Sequence, residues 1–150
     1  MLRSRSTRLD LTRTTPLLLL LVLAALPAAA RASDFKVANA WVTAPVSWEN
    51  PSAYFVIQNP DAKVRTIVGG SCTGCDWIEV HRTVFKDGAM TSEKLEEMAI
   101  PAKGSVAFVP RGLFLSLIGL TAIESGTKFS IELEFADGEK LEIEAEVREP

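Results

Sequence analysis

Within the nineteen residues "CTGCDWIEVHRTVFKDGAM", this chain places both of its cysteines, Cys72 and Cys75, its single histidine, His81, and one methionine, Met90. Thiolate, imidazole and thioether are the donors a soft ion such as Cu(I) prefers. The Cys-x-x-Cys spacing also serves dithiol redox chemistry, and in an exported protein two cysteines three apart form a local disulfide. Soft-metal binding, a structural disulfide and thiol redox are therefore the three chemistries open to this stretch. Catalysis by hydrolysis or phosphoryl transfer has no apparatus: there is one histidine, no Gly-x-Ser-x-Gly elbow and no phosphate-cradling glycine loop. The expectation is a protein that is not an enzyme.

The elements that must position these residues read as strands. Short runs rich in Val, Ile, Phe and Thr recur about every ten residues, broken by Gly, Pro, Asn and Asp. They predict nine strands, at 35–43, 53–58, 64–69, 77–85, 89–95, 104–109, 113–118, 127–135 and 140–148. Without crossover helices, this is an all-β chain, an antiparallel Greek-key barrel or sandwich. "TKFSIELEFADGEKLEIEAEVR" alternates apolar and charged residues across Asp137-Gly138, which predicts a hairpin with one dry and one wet face. That makes the glutamates from Glu132 to Glu146 a solvated surface. "MTSEKLEEM" has the Leu95–Met98 spacing of a helix, but Asp87-Gly88 suits a two-residue type I′ turn, so the chain is read as returning in a strand. "IPAKGSV" reads as a loop, Trp41 and Trp77 as core residues, and Trp48 as a loop aromatic at one barrel end.

Residues 1–32 read as an export signal. Arg3, Arg5, Arg8 and Arg13 precede "PLLLLLVLAALPAAA", which ends in small residues suited to a signal peptidase. The apolar core is about ten residues, short of the roughly twenty that span a bilayer, so no membrane insertion is expected after cleavage. No cysteine follows the apolar run, which argues against lipid attachment there. Residues 33–150 then form one exported, periplasmic domain. Cleavage takes five arginines and Asp10 from a balance of 16 basic against 19 acidic residues, leaving 11 against 18, about −7. Such a surface disfavours nucleic acid.

Taken together, "AWVTAP", "AYFVIQNP", "IEVHRTVFKDGAM", "IPAKGSVAFVPRG" and "LFLSLIGLT" resemble, in order and spacing, the periplasmic PCuAC-type copper chaperones. The resemblance implies a cupredoxin-like β-barrel that delivers Cu(I) to a copper-accepting partner such as an oxidase assembly component. It also implies four ligands: a histidine, a methionine eleven residues on, a histidine twenty-two beyond that, and a methionine two further. His81 matches the first, and the others fall on Ser92, Phe114 and Ser116. A phenyl ring cannot ligate, and hydroxyls are poor partners for a soft ion.

With the Asp87-Gly88 turn, Phe85 faces Met90, Thr83 faces Ser92 and His81 faces Lys94. His81 and Met90 then share a hairpin face, either as a weak two-donor site or as an ordinary strand histidine beside a turn methionine. An extended strand puts Cys75 about 20 Å from His81 at roughly 3.3 Å per residue, so the thiols form a separate site or a disulfide. Because "DWIEV" after the motif reads as strand, no helix N-terminus lowers a thiol pKa, which weakens the redox reading. The copper-independent alternative is a protein-binding module that keeps the barrel.

Overall fold

The computed structural model describes residues 34–46 and 49–149. The expected signal segment 1–32 and Trp48 lie outside the described residues. Over those residues the chain is all-β, with ten strands: β1 Lys36–Thr43, β2 Ser52–Gln58, β3 Arg65–Cys72, β4 Trp77–Lys86, β5 Ala89–Leu95, β6 Met98–Ile100, β7 Ser105–Phe108, β8 Leu113–Ile118, β9 Lys128–Phe135 and β10 Lys140–Arg148. No helix among the described residues is long and apolar enough to cross a membrane.

Alternation decides where each side chain goes. In β9 and β10, Phe129, Ile131, Leu133, Phe135, Leu141, Ile143, Ala145 and Val147 turn inward while the intervening Glu, Lys and Ser residues face water. This is the period-two pattern of a sheet with one wet face. Ion pairs such as Lys140–Glu132, at 2.6 Å, lace that wet face. The two strands pair antiparallel, Ile143 opposite Ile131, and the hairpin closes through Gly138 at φ 82°. A side chain there would be strained, which is the reason for glycine at the turn.

One sheet runs in the order β5-β4-β8-β7-β2-β1-β10-β9-β3-β6, with β2 also pairing with β8. Most pairings are antiparallel; β1 runs parallel to β10, and β7 meets β8 in parallel at Phe108 and Leu113. β3 also packs against β4, so the sheet curls on itself around Phe55, Ile57, Ile67, Leu115, Leu117 and Leu133, each with 2% or less of its surface exposed.

Several expectations need correction. Among the described residues there are ten strands where the sequence pattern gives nine, because Met98–Ile100 in the stretch before "PAKGSV" pairs with β3, Ile67 opposite Met98 and Arg65 opposite Ile100. Three residues are too few to show alternation. β3 runs to Cys72 rather than stopping at residue 69, because its glycines let it stay paired with β9 past a bulge between Ile67 and Gly69. The segment with helical spacing does return as a strand, as its Asp87-Gly88 turn led one to expect: β5, followed by β6. Trp77 is 51% exposed, since the inward positions of β4 are Ile78 and Val80. Trp41 is only partly buried and lies against Tyr54, ring centroids 4.4 Å apart.

Candidate functional site

The β4–β5 hairpin has the expected register. Asp87 and Gly88 take φ values of 53° and 81°, as a type I′ turn requires. Phe85 lies opposite Met90, Thr83 opposite Ser92 and His81 opposite Lys94. On its other side β4 pairs with β8, His81 opposite Phe114 and Glu79 opposite Ser116. Strand parity thus puts Glu79, His81, Thr83 and Phe85 of β4, Phe114 and Ser116 of β8, and Lys94, Ser92 and Met90 of β5 on one face, away from the Ile78 and Val80 side.

Contacts within that face centre on a residue the sequence did not single out, Glu79. One of its carboxylate oxygens, Oε2, is 2.9 Å from His81 Nε2. The other, Oε1, accepts from Trp77 Nε1 at 3.1 Å and lies 3.3 Å from Lys94 Nζ. A carboxylate only accepts, so Nε2 of His81 carries the proton in this bond. The imidazole also stacks on Phe114, centroids 5.5 Å apart at an interplanar angle of 24°. Nδ1 is buried and has no hydrogen-bond partner. A period-two reading of β4 makes Glu79 the neighbour of His81 on this face, the signal that could have found it.

The His81 hydrogen bond, ahead of those from Trp77 and Lys94, holds the Glu79 carboxyl below its usual 4.5, against the opposing effect of burial. A lowered folded-state pKa means the ionised form stabilises the fold; that contribution is complete above 4.5 and is lost as pH falls through the lower folded value. Between about pH 5 and pH 3, the urea midpoint of Glu79→Gln is therefore expected to fall less than that of the wild-type protein. Equal falls would mean that Glu79 is not held as described.

The structure brings His81, Phe114, Ser116 and, one diagonal away, Ser92 onto neighbouring positions of three strands. Ser116 is buried and lies opposite Ser52 of β2. Met90 is not brought to His81. Its opposite number, Phe85, is four residues further along β4, about 13 Å at roughly 3.3 Å per residue, and His81 is bonded to Glu79 in the other direction. Met90 and Phe85 are 57% and 76% exposed.

Cys72 and Cys75 lie apart, at the far end of β4. Their sulfurs are within bonding distance, as a disulfide, with Cα atoms 5.5 Å apart. Among the described residues no three His, Cys, Asp or Glu side chains converge as a metal site.

Comparison with known proteins agrees with this architecture. A family profile described as "Putative lipoprotein LpqE-like" matches residues 35–147. "Putative lipoprotein Lxx21020" of Leifsonia xyli subsp. xyli is 31% identical over 131 residues, covering 83% of this chain and 78% of that protein. Among solved structures, the copper-bound PCuAC domain from PmoF2 superposes with a TM-score of 0.65 at 16% identity, over 79% of this chain and 96% of that domain. Cu(I)-bound DR1885 from Deinococcus radiodurans gives 0.60 at 23% identity, over 85% and 82%. At such identities the structural likeness establishes the fold. Sequence and fold together place the chain in the LpqE-like lipoprotein family, on the β-barrel of the PCuAC copper-chaperone domains.

Proposed function

We propose that this is an exported cell-envelope protein which keeps the copper-chaperone barrel but uses its rim as a binding surface for a protein partner, not as a tight Cu(I) site. In this reading His81, Ser92, Phe114 and Ser116 stand where the copper chaperones carry their four ligands, and three of the four have lost the donor atom. The observation that carries the reading is how His81 is used: its Nε2 bonds to Glu79 and its ring is stacked on Phe114. An imidazole held in this way contributes to a polar cluster and offers a metal only Nδ1. Around the cluster, Trp77, Phe85 and Met90 are exposed on the same face of the hairpin, and large exposed apolar and aromatic side chains are the usual anchors of a protein interface.

A second reading is favoured by the unpartnered Nδ1 of His81. There the imidazole carries Cu(I) weakly through Nδ1, without Met90, and passes it to a copper-accepting oxidase assembly component.

A competition titration separates the two. With Cys72 and Cys75 oxidised, the protein is expected to take no stoichiometric Cu(I) from a chelator of micromolar affinity. Stoichiometric uptake that disappears in His81→Ala would establish the carriage reading instead.

A further inference from the structure

Cys72 is the last residue of β3, and Cys75 stands two residues before β4, with the exposed Thr73-Gly74 turn between them. Gly74 takes φ 82° there. Backbone pairing on both sides, independent of the sulfurs, holds the two ends together. Cys72 is in register with Ile131 of β9. Next to Cys75, the N–H of Asp76 donates to the Ile118 carbonyl at 2.8 Å, and Trp77 is paired with Ile118. The turn adds its own contact, Cys75 N–H to the Cys72 carbonyl at 3.5 Å. These flanks survive when the sulfur–sulfur bond breaks, so reduction leaves two thiols facing each other across Cα atoms 5.5 Å apart, a separation that one ion can bridge. An open concavity of about 330 Å³ lies alongside, lined by Ser71, Cys72, Thr73, Ser130, Glu132 and Glu142. Glu132 there is paired with Lys140, which leaves Glu142, bonded only to the neutral Ser130 hydroxyl, to favour the approach of a cation.

We infer that the reduced Cys72-Thr73-Gly74-Cys75 turn is a two-thiolate site for Cu(I), opened and closed by the oxidation state of the pair and separate from the barrel rim. Thiolate donors select soft ions. Two of them complete the linear coordination that Cu(I) accepts, whereas Zn(II) requires four ligands, and no third His, Cys, Asp or Glu converges here among the described residues. An external dithiol supplies the two electrons and two protons. Its own sulfurs join as the Cys72–Cys75 bond breaks into two thiols, and Cu(I) then displaces the two thiol protons. His81 takes no part, being about 13 Å along β4 from Trp77 at roughly 3.3 Å per residue. The inference does not depend on the reading of the rim.

The test is native mass spectrometry under nitrogen, with the protein reduced by a dithiol that is then removed, and Cu(I) offered against a chelator. Reduced wild-type protein is expected to retain one Cu(I). The oxidised protein should retain none, and His81→Ala in the reduced form should retain one. Cys72→Ser and Cys75→Ser should each lose it, as should reduced wild type alkylated at both thiols, which controls for misfolding of the variants. Retention of copper by the alkylated protein, or none on reduced wild type whose two thiols titrate as free, overturns the inference.

Discussion

A variant carrying Ser92→Met, Phe114→His and Ser116→Met is expected to hold one Cu(I) on the order of a thousandfold more tightly than oxidised wild-type protein, counting roughly tenfold for each donor restored, the lower end of what losing even an outer partner costs a metal site. The expectation rests on the backbone. His81 and Phe114 are direct partners on β4 and β8, Ser116 is two residues further on the same face, and Ser92 is one diagonal from His81 on β5. Thioether and imidazole at those positions recreate the donor set that the resemblance to the copper chaperones implies. Two features work against the gain: Ser116 is buried, so methionine there must displace neighbours, and Glu79 competes for His81. The single variant Ser92→Met, at an exposed position, is the control for folding and should gain little alone. A folded triple variant no tighter than wild type would mean that the rim geometry differs from that described.

The second large effect concerns stability. Gly70→Ala is expected to destabilise the protein by about 2–4 kcal/mol, a core overpacking cost at the upper end of its range. A Cβ at position 70 would lie 2.4 Å from the backbone carbonyl oxygen of Glu132 and 3.4 Å from Ile78 Cδ1. A carbonyl in a sheet cannot swing aside as a flexible side chain can, so β3 and β9 would have to part where Gly70 faces Leu133 and Ser71 faces Glu132. The urea midpoint measures this. Gly69→Ala, where an added Cβ meets nothing within 4 Å, is the matched control and should change the midpoint far less. Comparable losses at the two positions would contradict the close approach of these strands.

Those glycines also mark where the sequence was hard to read. "IVGGSC" looks like a strand running out into a loop, because glycine is scarce in strands for reasons of entropy. Here one glycine is required by a contact with β9 more than sixty residues away, which no local pattern reports. β6 was invisible for a related reason: three residues held by pairing with β3 carry almost no periodicity of their own. The β4–β5 hairpin and the β9–β10 hairpin, by contrast, were legible almost to the residue, since Asp-Gly turns and strict alternation are local signals.

The candidate site was legible in part. The positions gathered around His81 followed from hairpin register and spacing, and the separation of the cysteines from that histidine followed from strand rise. Glu79 was missed because a glutamate in an alternating strand is ordinarily a solvated one. What sets it apart is convergence of donors from Trp77 and His81 on its own strand and Lys94 on the neighbouring one. Trp77 was misplaced into the core because aromatic residues in strands are mostly buried, whereas the inward parity of β4 belongs to Ile78 and Val80.

NMR tests most directly the proposal that His81, bonded to Glu79 and stacked on Phe114, is not a working copper ligand. As the chain's only histidine, it gives a single pair of ring nitrogen resonances in a 15N NMR spectrum of the oxidised protein. Expected are a proton on Nε2 held in a hydrogen bond to Glu79, an Nδ1 resonance that does not move when one equivalent of Cu(I) is added, and loss of the Nε2 proton signal in Glu79→Ala, which removes the acceptor. An Nδ1 resonance that shifts and saturates at one equivalent of Cu(I) would contradict the proposal.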